Sequence, residues 1–356
     1  MRKITLGLLI FTSCTTGKVN NEFFLNTKNI KEADFENYNA SYRVIKLNDI
    51  SGVHHIMCMG FIPNNEIAVI DDHLSISILN SQYKKIQDFN SNNNPEPELI
   101  SPTIIFKMGP RDFGIYDLTL DRIYYFSKKP TAKKWNLIDK RDLIPQLRGL
   151  ISINSFDSTL FSATSINNIQ GRLLNFELTP QQKLVNYIGP KINIKGNSDF
   201  LIGMAYRCSA VFDEHNHNTY LCYYYTDLIE AYDANGKFIF RIRGPECFEP
   251  IYREAGDKKD QQFSEIQETK VAYTSIVSDD RFIYVLYSGR DNSLNKFKTK
   301  QKIYIFDKGG RPYKKIILNI EIEKLMFDSV SGQLYGFKPA VDNTTDNNLV
   351  IFNLKI

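Results

Sequence analysis

Six short runs constrain this chain more than any other feature. IAVID (67–71), RIYYF (122–126), TLFSA (159–163), TYLCYYY (219–225), FIYVLY (282–287) and QLYGF (333–337) are rich in β-branched and aromatic residues, and each follows a shorter run and a turn. Those residue types, with period-2 alternation and no long helical periodicity, specify strands. Further runs follow most of them. LIEAYD (228–233) leads to KFIFRIRGP (237–245) across Asn235-Gly236, and KIYIFD (302–307) leads to YKKIILNI (313–320) across Gly309-Gly310. Turns of this kind accept positive φ cheaply and suit hairpins.

The units recur every 40 to 60 residues or so, the range of propeller blades. A four-stranded unit cannot hide both of its faces, but radial stacking buries them. The expected fold is therefore all-β: a six-bladed β-propeller of four-stranded antiparallel blades over residues 41–356. The last unit ends at NLVIFNLKI (348–356) without an outer strand, and YRVIKL (42–47) has no unit of its own. Pairing the two would close the ring and remove an open edge. Gly109-Pro110, Gly189-Pro190 and Gly244-Pro245 read as blade ends, because Pro lacks a ladder donor.

The N-terminus gives an address. Arg2 and Lys3 precede ITLGLLIF (4–11), an apolar run too short to span a bilayer. Thr12 and Ser13 then lead to Cys14, which resembles a bacterial lipobox with Phe11 where Leu is usual. On that reading residues 1–14 are a lipoprotein signal with Cys14 as the acylated residue, and 15–40 are a polar tether. An ordinary secretory signal containing a cysteine is the other reading. Thr15 is not the Asp of inner-membrane retention, and no acidic cluster follows to support surface export. The expected location is the cell envelope, at the outer membrane facing the periplasm.

The stretches YYYTDLIEAYDANGKFIFRIRGPECF, AYTSIVSDDRFIYVLYSG and IYIFDKGGRP, behind such a signal, resemble the TolB-like six-bladed β-propeller lipoproteins of Gram-negative bacteria. FKMGPRDFG (106–114) looks like that family's Gly-Pro passage between the first two blades. The resemblance implies fold and export. It implies no reaction, since it brings no catalytic residues with it, and partner binding enters by analogy alone.

Loops around a propeller's channel mouth can vary without harming the core, so they hold the candidate site. Those leading into first strands offer His54, His55, Arg111, Arg148, Tyr206, Arg207, Tyr273 and Lys324. Those between second and third strands offer Asp71, Asp72, His73, Ser127, Lys128, Lys129, Thr164, Thr226, Asp227, Arg290 and Lys338. A polar mouth of mixed sign rimmed by Tyr suits a protein, peptide or glycan ligand, with no cofactor. The alternative is a metal-dependent hydrolase of lactonase type, with one divalent ion in the central channel near His54, His55, Asp71, Asp72 and His73. His215 and His217 are spaced like a metal pair but fall in a turn on the opposite face.

No nucleophile elbow, HExxH or Walker motif is present. A net charge of +4 without a long Lys/Arg run argues against nucleic acid. Cys208 and Cys222 flank one hairpin and would be in disulfide reach if directly opposite; two buried thiols are the other reading. The polar segments 90–101 and 253–270 read as insertions.

Overall fold

The computed structural model describes residues 26–53, 55–89, 97–167, 170–192, 194, 198–255, 262–265, 269–291, 301–340 and 346–355. Three N-terminal strands come first: β1 (Thr27–Asn29), β2 (Glu36–Asn37) and β3 (Ser41–Lys46), followed by the short helix α1 (Leu47–Ser51). Blade 1 is β4 (Ile56–Ile62), β5 (Glu66–Asp71), β6 (Ile76–Leu79) and β7 (Lys85–Phe89). Blade 2 is β8 (Pro102–Lys107), β9 (Asp112–Asp117), β10 (Arg122–Ser127) and β11 (Asn136–Asp142). Blade 3 is β12 (Leu150–Ser155), β13 (Leu160–Ser165), β14 (Leu173–Glu177) and β15 (Lys183–Ile188).

Helix α2 (Asp199–Ala205) leads into blade 4, which is β16 (Cys208–Phe212), β17 (Thr219–Tyr223), β18 (Leu228–Tyr232) and β19 (Phe238–Arg243). A hairpin of β20 (Tyr252–Ala255) and β21 (Gln262–Glu265) occupies part of the second insertion. Blade 5 is β22 (Lys270–Ser278), β23 (Phe282–Asp291), β24 (Lys302–Asp307) and β25 (Pro312–Ile317). Blade 6 is β26 (Lys324–Asp328), β27 (Gln333–Lys338) and β28 (Asn348–Asn353), with β3 as its outer strand. The β3–β28 pairing, from Asn348↔Lys46 to Asn353↔Ser41, joins the two ends of the chain and closes the ring as expected.

Six apolar clusters fill the six seams between blades. One strand feeds two of them, because successive side chains point to opposite faces. In β5, Ile67 and Val69 enter the seam with blade 6, while Ala68 and Ile70 enter the seam with blade 2. This is why the middle strands read as unbroken apolar runs rather than as half-polar ones. The turns rely on Asp: Asp233 Oδ1 accepts from Asn235 and Lys237 N–H (2.9 and 2.8 Å), and Gly236 takes φ 77. Asp307 repeats the arrangement with Gly309 and Arg311 (2.9 and 2.8 Å).

Four expectations need correction. RIYYF is the third strand of blade 2, not its second, because PTIIFK (102–107) supplies a first strand ahead of DFGIYD (112–117). Gly109-Pro110 therefore turns the first hairpin of blade 2 instead of ending a blade; the other two Gly-Pro pairs do follow outer strands. Residues 27–40 are not a free tether. β1 lies parallel to β19, β2 lies parallel to β25, and Ile30 and Phe35 are buried in the seam between blades 4 and 5. Finally, Cys208 faces Tyr223 and Cys222 faces Ser209, so the two thiols sit on opposite faces of the sheet, in different seams, and are free. Cys14 lies outside the described residues.

Candidate functional site

The first strands β4, β8, β12, β16, β22 and β26 line an axial channel with a cavity of about 540 Å³. Four of them carry a register shift near the mouth, which leaves Met57, Thr103, Ile151 and Thr274 without a cross-strand partner. A bulge re-aims the extra residue, and all four line the channel. Met57 is 54% exposed there, a large apolar side chain kept in contact with water. Glu323 and Lys324 line the wall on the blade 6 side. Lys324 Nζ donates to Met59 O (3.0 Å) across the seam between blades 6 and 1. Burial among wall atoms pushes the Glu323 carboxyl above its usual range, eased by the charge of Arg290.

Lower on the wall, small polar side chains stitch neighbouring first strands together. Ser152 Oγ accepts from Ala210 N–H (3.1 Å). Asn154 donates to Ala210 O (3.1 Å) and accepts from Phe212 N–H (3.2 Å). Ser275 Oγ accepts from Leu325 N–H (3.0 Å), and the Cys58 thiol donates to Thr103 O (3.4 Å). An innermost strand has a free edge toward the channel, and these groups satisfy part of it.

The mouth rim is committed to holding loops. Asp227 is fully buried; one carboxylate oxygen accepts from Glu246 and Cys247 N–H (2.7 Å each) and the other from Phe248 N–H (3.3 Å). Burial still pushes its carboxyl up against those three amides. Thr226 donates to Phe248 O (2.7 Å), Tyr273 to Gly244 O (2.5 Å) and Tyr206 to Glu249 (3.1 Å). Arg207 stacks on Tyr224 and Tyr225, 4.0 and 4.8 Å from the ring centroids. Thr226, Asp227, Tyr206 and Tyr273 were expected to meet a ligand; all four are buried and shape the connections from blade 4 to blade 5 instead.

The remaining candidates are scattered. His55, Asp71 and Asp72 stay together at blade 1, where Asp71 Oδ1 accepts from His73 and Ser75 N–H in a turn (3.0 and 2.9 Å). His54 lies outside the described residues. Arg148 sits at blade 3 beside Asp121 (3.9 Å), and Arg290 at blade 5. Thr164 is buried in β13, where its hydroxyl donates to Cys208 O (2.6 Å). Arg111 falls in the first hairpin turn of blade 2, and Ser127, Lys128 and Lys129 open the turn between β10 and β11, so all lie on the face opposite the mouth. That displacement follows from the shifted strand order of blade 2. His215 lies on that face as expected, 3.6 Å from Asp213, which Lys308 bridges at 2.5 Å. Among the described residues no group of three His, Cys, Asp or Glu side chains could hold a metal ion.

Apart from Lys324, the channel-wall residues described above escaped the sequence reading. The readable signal was Ser152 and Asn154 inside the strand LISINS, where polar groups at an innermost position require a partner. The bulged residues left no such mark.

Residues 71–330 match the TolB-like 6-blade propeller-like family. Among solved structures, a Bacteroides fragilis protein carrying the name of an exported protein superposes with a TM-score of 0.56 at 10% identity, over 93% of this chain and 99% of that one. A member of the duf4221 family from Bacteroides vulgatus gives 0.51 at 10% identity, over 89% and 98%. Both are likenesses of fold. No curated protein matches the chain.

Proposed function

Because the chain belongs to the TolB-like six-blade propeller family, we propose that it is an exported, lipid-anchored binding module, acting without catalysis. Its ligand is a polypeptide segment or glycan received at the channel mouth. The observation that carries this reading is the collar of bulged residues in the channel, with Met57 exposed on blade 1 and Thr103 exposed on the neighbouring blade 2. Apolar surface flanked by hydrogen-bonding groups on a rigid wall suits binding. Export and the anchor rest on the N-terminal signal and Cys14, and the name of the Bacteroides fragilis relative agrees with export. The hydrolase alternative needs metal donors from several blades, and no observation favours it.

A photo-crosslinking residue at Thr103, in cells, tests the binding reading. The expected result is a defined adduct that is absent when the same residue replaces Ile138, exposed on the outer strand of blade 2. Equal labelling at both positions would overturn it. Metabolic labelling with an alkynyl fatty acid tests the anchor: label should be lost in Cys14→Ala, and label that persists refutes it.

A further inference from the structure

The face opposite the mouth carries a charged surface that the binding reading does not use. Its centre is blade 2, where the turn from Lys128 to Trp135 reads KKPTAKKW. The turn is pinned from beneath. Trp135 is buried, and its indole N–H donates to Glu66 Oε2 (2.6 Å) while Lys128 Nζ donates to Glu66 Oε1 (2.7 Å). Trp135 and Gln87 exchange two further bonds of 2.7 Å, which tie the turn to blade 1. Lys128 N–H donates to Arg111 O (3.1 Å), so the first hairpin turn of the blade lies alongside. Glu66 thus neutralises Lys128 and nothing more. Arg111, Lys129, Lys133 and Lys134 are exposed, and none makes an ion pair with a described residue.

We infer that this blade 2 surface docks on an anionic lipid bilayer. Cations held on ordered turns lose little freedom on binding, and each Lys or Arg near an anionic membrane contributes about 1 kcal/mol. Over blades 4 and 5 the turns on the same face carry Asp213, Glu214, Asp233, Asp279, Asp280 and Asp307 against Lys237, Arg281, Lys308 and Arg311, an excess of acid, so the molecule would tilt its blade 2 side toward the lipid. β1 runs parallel to β19, with Thr27 beside Arg241 and Asn29 beside Arg243, so the N-terminal end of β1 is the end directed toward this face. The mouth then faces away from the membrane.

The test uses the full chain as Cys14→Ser, so that no acyl chain contributes and failure of the anchor reading stays separate. Its co-sedimentation is measured with vesicles of phosphatidylcholine containing about one third phosphatidylglycerol, and with phosphatidylcholine alone, at low and high salt. Binding is expected on the anionic vesicles only, weakening with salt. Combining Arg111→Gln, Lys129→Gln, Lys133→Gln and Lys134→Gln should weaken it at least tenfold. The control combines Lys28→Gln, Arg43→Gln, Lys191→Gln and Lys338→Gln, which removes equal charge elsewhere and should retain binding. Equal loss in both variants, equal binding to both vesicle types, or binding of the parent chain to polyglutamate but not to vesicles would overturn the proposal. Should the fourfold variant fail to fold, Lys133→Gln with Lys134→Gln alone must show a smaller loss of the same sign.

Discussion

The rim of the mouth and the wall of the channel differ in what their exposed and polar groups are used for. The rim is polar, yet Asp227, Thr226, Tyr206 and Tyr273 spend their polar atoms on the backbone and side chains of residues 244–249. The wall mixes apolar and small polar side chains, and it leaves Met57 and Thr103 exposed in the cavity. A long connection between blades leaves amides that must find acceptors, and nearby carboxylates and hydroxyls serve them first. On the proposed reading, ligand contact would fall to the residues that local backbone irregularity pushes out of the sheet.

The sharpest way to break this contrast is Asp227→Ala. It leaves three amides of the connection without their acceptor in a buried site and should cost about 4 kcal/mol in urea unfolding. A loss under about 1 kcal/mol would mean that the rim is not structural. Next comes Asn154→Ala, which removes two bonds across the seam between blades 3 and 4. It should cost about 2 kcal/mol by the same measurement, with the Thr103 adduct preserved. Met57→Glu should stay within about 0.5 kcal/mol of the parent, as an exposed side chain does, while abolishing the adduct.

The smallest effect concerns pH. Burial raises the folded-state pKa of Glu323 above its unfolded value, so the folded chain binds more protons between the ordinary carboxylate range and the raised value. Stability should therefore fall as pH rises through that window. Unfolding curves of Glu323→Gln should show a shallower fall; an unchanged slope would contradict the wall's electrostatics as described.

The blade count and ring closure were legible because they rest on local chemistry. Asn235-Gly236 and Gly309-Gly310 mark hairpins, and YRVIKL had only one free edge to pair with. Blade 2 was misread because two adjacent apolar runs, 102–107 and 112–117, compete for the role of first strand, and Gly109-Pro110 serves a hairpin as readily as a blade end. That single slip carried Arg111 and Lys128 to the wrong face. The tether was misread at Ile30 and Phe35, two lone apolar residues in polar sequence whose pocket is built by blades far along the chain. The register of Cys208 and Cys222 differs by one residue, which is enough to send the thiols to opposite faces.

The most direct test of the division between rim and wall measures stability and ligand contact together, on Asp227→Asn and Met57→Glu, each with the crosslinker at Thr103. Asp227→Asn should lower the urea midpoint while the folded fraction still forms the adduct. Met57→Glu should keep the midpoint and lose the adduct. If Met57→Glu unfolds the ring as readily as Asp227→Asn, or leaves the adduct intact, the wall is scaffold and the binding site lies elsewhere.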